Sequence, residues 1–321
     1  MDNTTRLLQR HTDQIDTPET LIAEASDPEL ARLAPRARLH SDRMDATGGW
    51  ATEPLPRIDA DTHRVVVILP KSMERLEMLL AVLAGQCRSA LELWLVGPTR
   101  EGIRSGLTRL EQRAEWVQAL DSARHCKLYR ARLLPDRPAG LDDFAASFVY
   151  QGLKIISYPG VFSHGRLDEG TRELLAVMDT QEHRGSVLDP GCGSGVLSAA
   201  LARAGREVTA VDNSSTAVAA TRATLAANQL HATVECGDGY TGLGRFDAIW
   251  TNPPFHQGLR RTLEVSEALI RQAPRYLNKG GTLTLVANRE LPYPRLLEES
   301  FSTWRILRES NRYRVYRARR S

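Results

Sequence analysis

The run Asp189-Pro190-Gly191-Cys192-Gly193-Ser194-Gly195 constrains this chain more than any other feature. It follows an apolar stretch that begins at Ser186 and precedes an alanine- and leucine-rich segment, Val196 to Arg203, so it reads as a turn from a strand into a helix. Glycine at every second position lets the backbone turn tightly and leaves main-chain N–H groups uncovered at a helix N-terminus. Such a turn belongs at the carboxyl end of a strand in a doubly wound α/β sheet, where ligands of that architecture bind. An ordinary strand-to-helix turn is the plain alternative, and the loop alone does not exclude it.

The flanking sequence repeats the same alternation. Strands are expected at Glu207–Asp212, Thr233–Cys236, Phe246–Trp250 and Thr282–Ala287, with helices from Ser214 or Ser215 to Asn228 and over 262–277. Two further strands near 304–308 and 313–318 are close enough to pair antiparallel. Upstream, Val65–Leu69 is a continuous apolar run closed by Pro70, as in a buried parallel strand. Ser72 then caps a helix carrying Leu76, Leu79, Leu80 and Leu83, and Leu91–Val96 is a second strand. The first 60 residues, broken by Pro18, Pro28, Pro35, Pro54 and Pro56, are expected to form short helices and loops. Turn-rich residues 137–165 mark a junction, and 321 residues is about twice a usual domain, so two domains are expected, 1–155 and 156–321.

Several function classes drop out. No apolar run approaches the roughly 18 residues of a membrane span, and the polar N-terminus lacks a secretory core, which makes a cytoplasmic protein the expectation. Cys87, Cys126, Cys192 and Cys236 are widely separated and form no metal-ligand pattern, so reduced thiols and no metal are expected. The net charge of +3 conceals an asymmetry: residues 1–150 hold 20 Lys/Arg against 22 Asp/Glu, residues 151–321 hold 22 against 17. Arg305, Arg308, Arg312, Arg314, Arg317, Arg319 and Arg320 give the C-terminus a basic stripe able to attract polyphosphate, or to solubilise an edge strand.

The identity of the ligand follows from spacing. A dinucleotide loop needs G-x-G-x-x-G, but the position required for the third glycine is Val196. An acid at the strand end repels a pyrophosphate and attracts the amino group of a methionine moiety, which favours S-adenosylmethionine over NAD. Asp212 ends the next strand, where a carboxylate can accept from both ribose hydroxyls, and Asp238 ends the third, within reach of an adenine amino group. The expected cofactor-binding set is Asp189, Gly191, Cys192, Gly193, Gly195, Asp212, Asn213, Asp238, Gly239 and Asn252.

Asn252-Pro253-Pro254-Phe255 follows the fourth strand of this series. An exocyclic amine on a planar ring is a poor nucleophile because its lone pair is delocalised. Two acceptors, the Asn252 side-chain oxygen and the Pro253 carbonyl, can hold the NH₂ and favour a pyramidal nitrogen. Pro253 and Pro254 stiffen the backbone, and Phe255 offers a face for the ring. Positioning and electrostatics, not covalent catalysis, would then lower the barrier.

These segments resemble a known family. NPPFHQG at 252–258, DPGCGSGVLS at 189–198, VANRELPYP at 286–294, YRVYRA at 313–318 and GVFSHGRLDEGTRELL at 160–175 look like the ribosomal RNA guanine-N2 methyltransferases of the RsmC type. HRVVVILPK at 63–71 and LVGPTREGIRSG at 95–106 extend the resemblance to the N-terminal half. It implies two tandem Rossmann-like α/β methyltransferase domains, the first a degenerate copy and the second a doubly wound seven-stranded sheet with an antiparallel last strand. It implies cofactor roles for Asp189, Gly191, Gly193, Asp212 and Asp238, and a catalytic role for Asn252 with Pro253, Pro254 and Phe255. The implied reaction is N2-methylation of a guanine in 16S rRNA (guanine-1207), within the 30S subunit, by a monomer. A 23S rRNA guanine-N2 enzyme and a non-catalytic RNA-binding assembly factor on the same fold are the other readings. His164-Gly165-Arg166 stands where the family pattern has Arg-Asp-Gly, so no role is assigned there.

Overall fold

The computed structural model describes residues 1–44, 52–178, 185–253 and 260–321. The chain forms two compact units: Met1–Ala145 together with Tyr158–Gly160 and Ser214–Thr216, and the remainder.

In the second unit a hairpin comes first, β7 (Ala146–Tyr150) and β8 (Leu153–Ser157), within the stretch expected to be a turn-rich junction. Its two-residue turn holds Gln151 and Gly152 at positive φ, the conformation that matches the twist of paired strands. The helix α4 (Glu169–Leu175) follows, and then the alternation predicted from sequence: β9 (Ser186–Pro190), α5 (Val196–Arg203), β10 (Glu207–Asp212), α6 (Ser215–Ala227), β11 (Thr233–Cys236), β12 (Phe246–Thr251), α7 (Arg260–Gln272), β13 (Leu277–Asn288), α8 (Tyr293–Ser300), β14 (Thr303–Glu309) and β15 (Tyr313–Arg319). The seven strands stand in the order β11-β10-β9-β12-β13-β15-β14. All are parallel except β15, which runs antiparallel between β13 and β14.

Both faces are covered at the centre of this sheet, which is why β9 and β12 are almost continuously buried rather than alternating, unlike the edge strands β11 and β14. Along β12, Phe246 and Ile249 enter one core with Tyr293, Leu297 and Tyr316, while Ala248 and Trp250 enter the other with Leu197, Leu201 and Val315.

The first unit holds a six-stranded sheet. Its strands are β1 (Thr20–Ala23), β2 (Arg38–Leu39), β3 (Arg64–Ile68), β4 (Leu91–Pro98), β5 (Ala114–Ala123) and β6 (Cys126–Leu133), in the order β2-β1-β3-β4-β6-β5. Helices α1 (Asn3–Leu8), α2 (Met73–Gln86) and α3 (Ile103–Glu111) flank it. Ser72 caps α2 by accepting from the Arg75 N–H, as the sequence suggested.

One expectation for this half needs correction. The first 60 residues contain strands β1 and β2; β1 is only four residues long, all buried, too short for a periodicity to register. The two sheets share one plan. Removing β11 from the larger sheet leaves β10-β9-β12-β13-β15-β14, and the smaller matches it position by position, including the antiparallel β6 next to the last strand. On this match β1 corresponds to β9, and β3 corresponds to β12. The counterpart of the glycine loop therefore follows β1 at Glu24, and Leu69-Pro70-Lys71 stands where Asn252-Pro253 stands in the other sheet.

Candidate active site

Strand register lines up the candidate residues at one end of the larger sheet. Val211 pairs with Pro190, Asp212 with Cys236, and Ile249 with Leu188. Continuing these pairings puts Asn252, Gly191, Asp212 and Cys236 at one level across β12, β9, β10 and β11. This is the carboxyl edge at the point where the chain, having built outward from β9 through β10 and β11, crosses to β12 on the other side. Doubly wound sheets bind ligands in the crevice at such a point.

The glycine loop adopts the conformation its sequence demands. Gly191, Gly193 and Gly195 all have positive φ, from 56° to 81°. A Cβ on Gly195 would lie 2.9 Å from the Thr221 Cα, so this glycine lets α5 and α6 approach. Around Gly191 and Gly193, by contrast, a Cβ would meet nothing within 4 Å. These two glycines leave an open cradle where a ligand can lie on the main chain. Thr221 Oγ1 donates to the Gly193 carbonyl at 3.0 Å and contacts Cys192 Sγ at 3.2 Å, which pins the loop from beneath. Burial pushes the Cys192 thiol up, so it is a neutral packing group and no nucleophile.

The acids are placed differently from one another. Asp212 Oδ2 accepts from the Gly193 N–H at 2.9 Å, tying the end of β10 to the loop. Asp238 is exposed just past β11, beside Gly239 at positive φ, and Asn213 is half-buried after Asp212. Asp189 is 1% exposed, and Ser198 Oγ donates to it at 2.5 Å. Its burial and the nearby Asp212 raise its carboxyl to about 7. A carboxyl group at that threshold ionises when a cation comes near.

Asn252 is half-buried after β12, and Pro253 beside it is buried. The Asn252 Nδ2 donates to Asp168 Oδ2 at 2.9 Å and to Thr171 Oγ1 at 2.8 Å. Among the described residues none donates to its Oδ1, which remains an acceptor at the edge of the crevice. Pro254 and Phe255 lie outside the described residues, as does His256.

Asp168 and Thr171 were missed by sequence reasoning, although the segment GRLDEGTRELL was singled out. The available signal was an Asp placed three residues before Thr171, a helix cap, which gives no hint that the cap faces Asn252 from 84 residues away. No group of His, Cys, Asp and Glu among the described residues could hold a metal ion, and no described helix is long and apolar enough to cross a membrane.

The site fits S-adenosylmethionine: an open glycine cradle, acids at successive strand ends, and an acceptor amide across the crevice. When bound, that cofactor supplies a methyl group activated on a sulfonium. The comparisons agree. The profile of the methyltransferase small domain matches residues 152–317, and that of its N-terminal partner domain matches residues 5–148. The chain is 44% identical to the ribosomal RNA small subunit methyltransferase C of Alcanivorax borkumensis over 99% of both chains, and 41% identical to that of Salmonella paratyphi B over 80% of this chain and 76% of the other. The solved Thermus thermophilus 16S rRNA N2 G1207 methyltransferase, in complex with AdoMet and guanosine, superimposes with a TM-score of 0.84 at 26% identity, covering 100% of this chain and 92% of that one. With the duplicated sheet plan, the glycine cradle and the Asn252 crevice in place, the chain belongs to the ribosomal RNA small subunit methyltransferase C family of S-adenosylmethionine-dependent methyltransferases.

Proposed function

We propose that this protein transfers a methyl group from S-adenosylmethionine to the exocyclic N2 of a guanine in 16S rRNA, with the chemistry confined to residues 156–321. The observation that carries the proposal is the fixed orientation of the Asn252 amide: its nitrogen is held by Asp168 and Thr171, no described residue donates to its Oδ1, and the register sets the residue at the level of Gly191. In this reading Asn252 Oδ1 and the Pro253 carbonyl accept the two protons of the guanine amine and aim its nitrogen across the crevice. Pro254 stiffens the motif and Phe255 stacks on the base. Gly191, Cys192, Gly193 and Gly195 supply the cradle, with Asp212 and Asn213 at the ribose and Asp238 and Gly239 at the adenine. No covalent intermediate is needed; holding the amine in line supplies much of the acceleration.

Guanine N2 lies in the minor groove of an RNA helix, out of reach of a recessed sheet edge, so the base must leave its stack to meet Asn252. The expected partner is 16S rRNA within the 30S particle, and the expected working form is a cytoplasmic monomer. The first unit, Met1–Ala145 with its two short additions, has no cofactor chemistry of its own.

The test is methyl transfer by wild type and Asn252→Ala to naked 16S rRNA, 23S rRNA, 30S and 50S particles, with the modified base mapped by mass spectrometry. The variant is expected to lose turnover by orders of magnitude while its cofactor affinity stays nearly unchanged, since Asn252 holds the amine. Wild-type turnover in the variant, or methylation confined to 23S rRNA, would overturn the proposal.

A further inference from the structure

We infer that Asp168, assisted by Thr171, is the positioning residue that selects which end of the Asn252 amide faces the substrate. The inference rests on the reading of Asn252 given above. An asparagine amide is nearly symmetric in shape, and its two flipped orientations differ only in which end donates. If Nδ2 faced the crevice, a donor would meet the guanine amine, itself a donor, and the nitrogen would be held by nothing.

The contacts decide between the two orientations. An ionised carboxylate only accepts, so the group 2.9 Å from Asp168 Oδ2 must be the amide nitrogen. The second N–H is taken by Thr171 Oγ1 at 2.8 Å. Both amide protons are thereby committed, and Oδ1 is the end of the amide left to accept. A charge on the accepting side also polarises the amide and makes Oδ1 a stronger acceptor.

Asp168 is itself immobilised. The same Oδ2 accepts from the Thr171 N–H at 2.9 Å, capping α4, so one short helix turn carries both anchors. Gly170 lies between them at a close approach. A Cβ there would fall 3.0 Å from Asp168 Oδ2, 3.4 Å from Tyr313 Cε1 and 3.6 Å from Asn252 Nδ2. The glycine provides room for the anchors to reach Asn252. The bland alternative is that Asp168 only caps α4.

The experiment separates these roles in the full-length chain, reading turnover on the RNA substrate, cofactor Kd and melting temperature. Asp168→Ser retains a capping oxygen for the Thr171 N–H, but a hydroxyl both donates and accepts and so no longer dictates the flip. Turnover is expected to fall about tenfold to a hundredfold, with cofactor Kd and melting temperature little changed. Asn252→Asp alone sets two carboxylates against each other and is expected to lose turnover too. Combining Asp168→Ser with Asn252→Asp lets the introduced serine hydroxyl donate to the new carboxylate while an acceptor is kept toward the guanine, so the double variant should exceed Asn252→Asp alone. Thr171→Val should cost turnover and Thr171→Ser should restore it. Full turnover in Asp168→Ser, or a double variant no better than Asn252→Asp alone, would overturn the inference. If Asn252→Ala loses turnover while Asp168→Ser keeps it, this inference alone fails; if Asn252→Ala keeps it, the reading of the site fails first.

Discussion

Thr251 Oγ1 donates a hydrogen bond to the Pro190 carbonyl at 2.8 Å, joining the last residue of β12 to the last residue of β9. Both are buried. The residue before Asn252 and the residue before Gly191 are therefore locked together, so the motif proposed to hold the amine and the glycine loop proposed to cradle the cofactor share one rigid frame. Thr251→Val keeps the shape and removes the donor, stranding a buried carbonyl at a cost of about 1–3 kcal/mol. Cofactor Kd and kcat should both worsen, in contrast to Asn252→Ala, which should move kcat alone. Calorimetry and single-turnover rates on the two variants check this; an unchanged Kd in Thr251→Val would show that the cradle does not depend on the strand pair.

Asp212→Ala should act in the opposite sense to Asn252→Ala. It removes the acceptor braced by the Gly193 N–H and, in the proposed reading, the ribose acceptor as well. Cofactor binding should weaken by about 1–3 kcal/mol, as for hydrogen bonds to a charged group. Titration calorimetry reads this directly. A cofactor Kd equal to wild type would reduce Asp212 to a brace for the loop.

Asp189 makes a pH prediction whose sign is unusual for a carboxylate. Its ordinary value is 3.8 and burial in the folded chain raises it to about 7. Between those values the folded protein holds a proton that the unfolded chain has released. Its contribution to stability is therefore fully present below pH 3.8, declines as pH rises and is gone above about pH 7. Denaturant midpoints of the ligand-free protein should show this downward component, and Asp189→Asn should lack it. A cationic ligand favours the ionised form, so cofactor binding should tighten as pH rises toward 7 and release a proton. Calorimetry in two buffers of different ionisation enthalpy would detect it; binding without proton release would show that Asp189 does not sense the ligand.

What was legible in the sequence tracks what local chemistry encodes. The glycine loop, the acids at strand ends and the Asn-Pro-Pro motif are short patterns whose residue types are dictated by backbone geometry, and those of them that are described, Asn252-Pro253 included, fall on one edge of the sheet. Strand β1 was not legible because Thr20–Ala23 is too short for a periodicity, and its place in the sheet is fixed by parallel pairing with Arg64–Val67, 44 residues on. The hairpin of β7 and β8 is not legible because its two short strands lie between the turn-rich flanks of the expected junction. Asp168 was hidden for another reason: its local role as a cap is complete in itself, and its second role depends on a contact made only in the folded chain.

The arginine stripe also reads differently once folded. Arg317 donates to Thr284 Oγ1 at 3.2 Å and lies 5.6 Å from the ring of Trp250, which is 2% exposed; Arg320 donates to the Leu277 carbonyl. Arg308, Arg312 and Arg314 pair with Glu173, Glu169 and Glu309. These five serve the sheet and its neighbouring helix. Arg317→Gln should lower the melting temperature. Arg305 and Arg319 are exposed, and replacing both with Gln should leave the fold intact while reducing the salt slope of RNA binding by about 1.5. An unaltered slope would place the RNA contacts elsewhere.

The last prediction concerns cofactor stoichiometry, and the shared sheet plan sharpens it. In the first unit the crevice corresponding to the active one lies between the ends of β1 and β3. Where the cradle has Gly191, this crevice has Glu24, also at positive φ but carrying a side chain. Arg75, from the first turn of α2 after β3, reaches across and donates to both Glu24 carboxylate oxygens, at 2.7 and 2.9 Å, and to the Pro54 carbonyl at 3.2 Å. Its side chain is 4% exposed, and His40 stands 3.9 Å from the same carboxylate. The crevice is thus filled by a buried ion pair, with a fixed cation where a sulfonium and ammonium would lie. Titration calorimetry should give one S-adenosylmethionine per chain, and Asp212→Ala, which touches only the second unit's cradle, should weaken the whole of the observed binding. Arg75→Met should leave the stoichiometry at one while destabilising the first unit by about 3–5 kcal/mol, because the Glu24 carboxylate is left buried and unpaired. A second binding event in wild type, or one that survives Asp212→Ala unchanged, would show that the Arg75–Glu24 pair opens to admit a ligand.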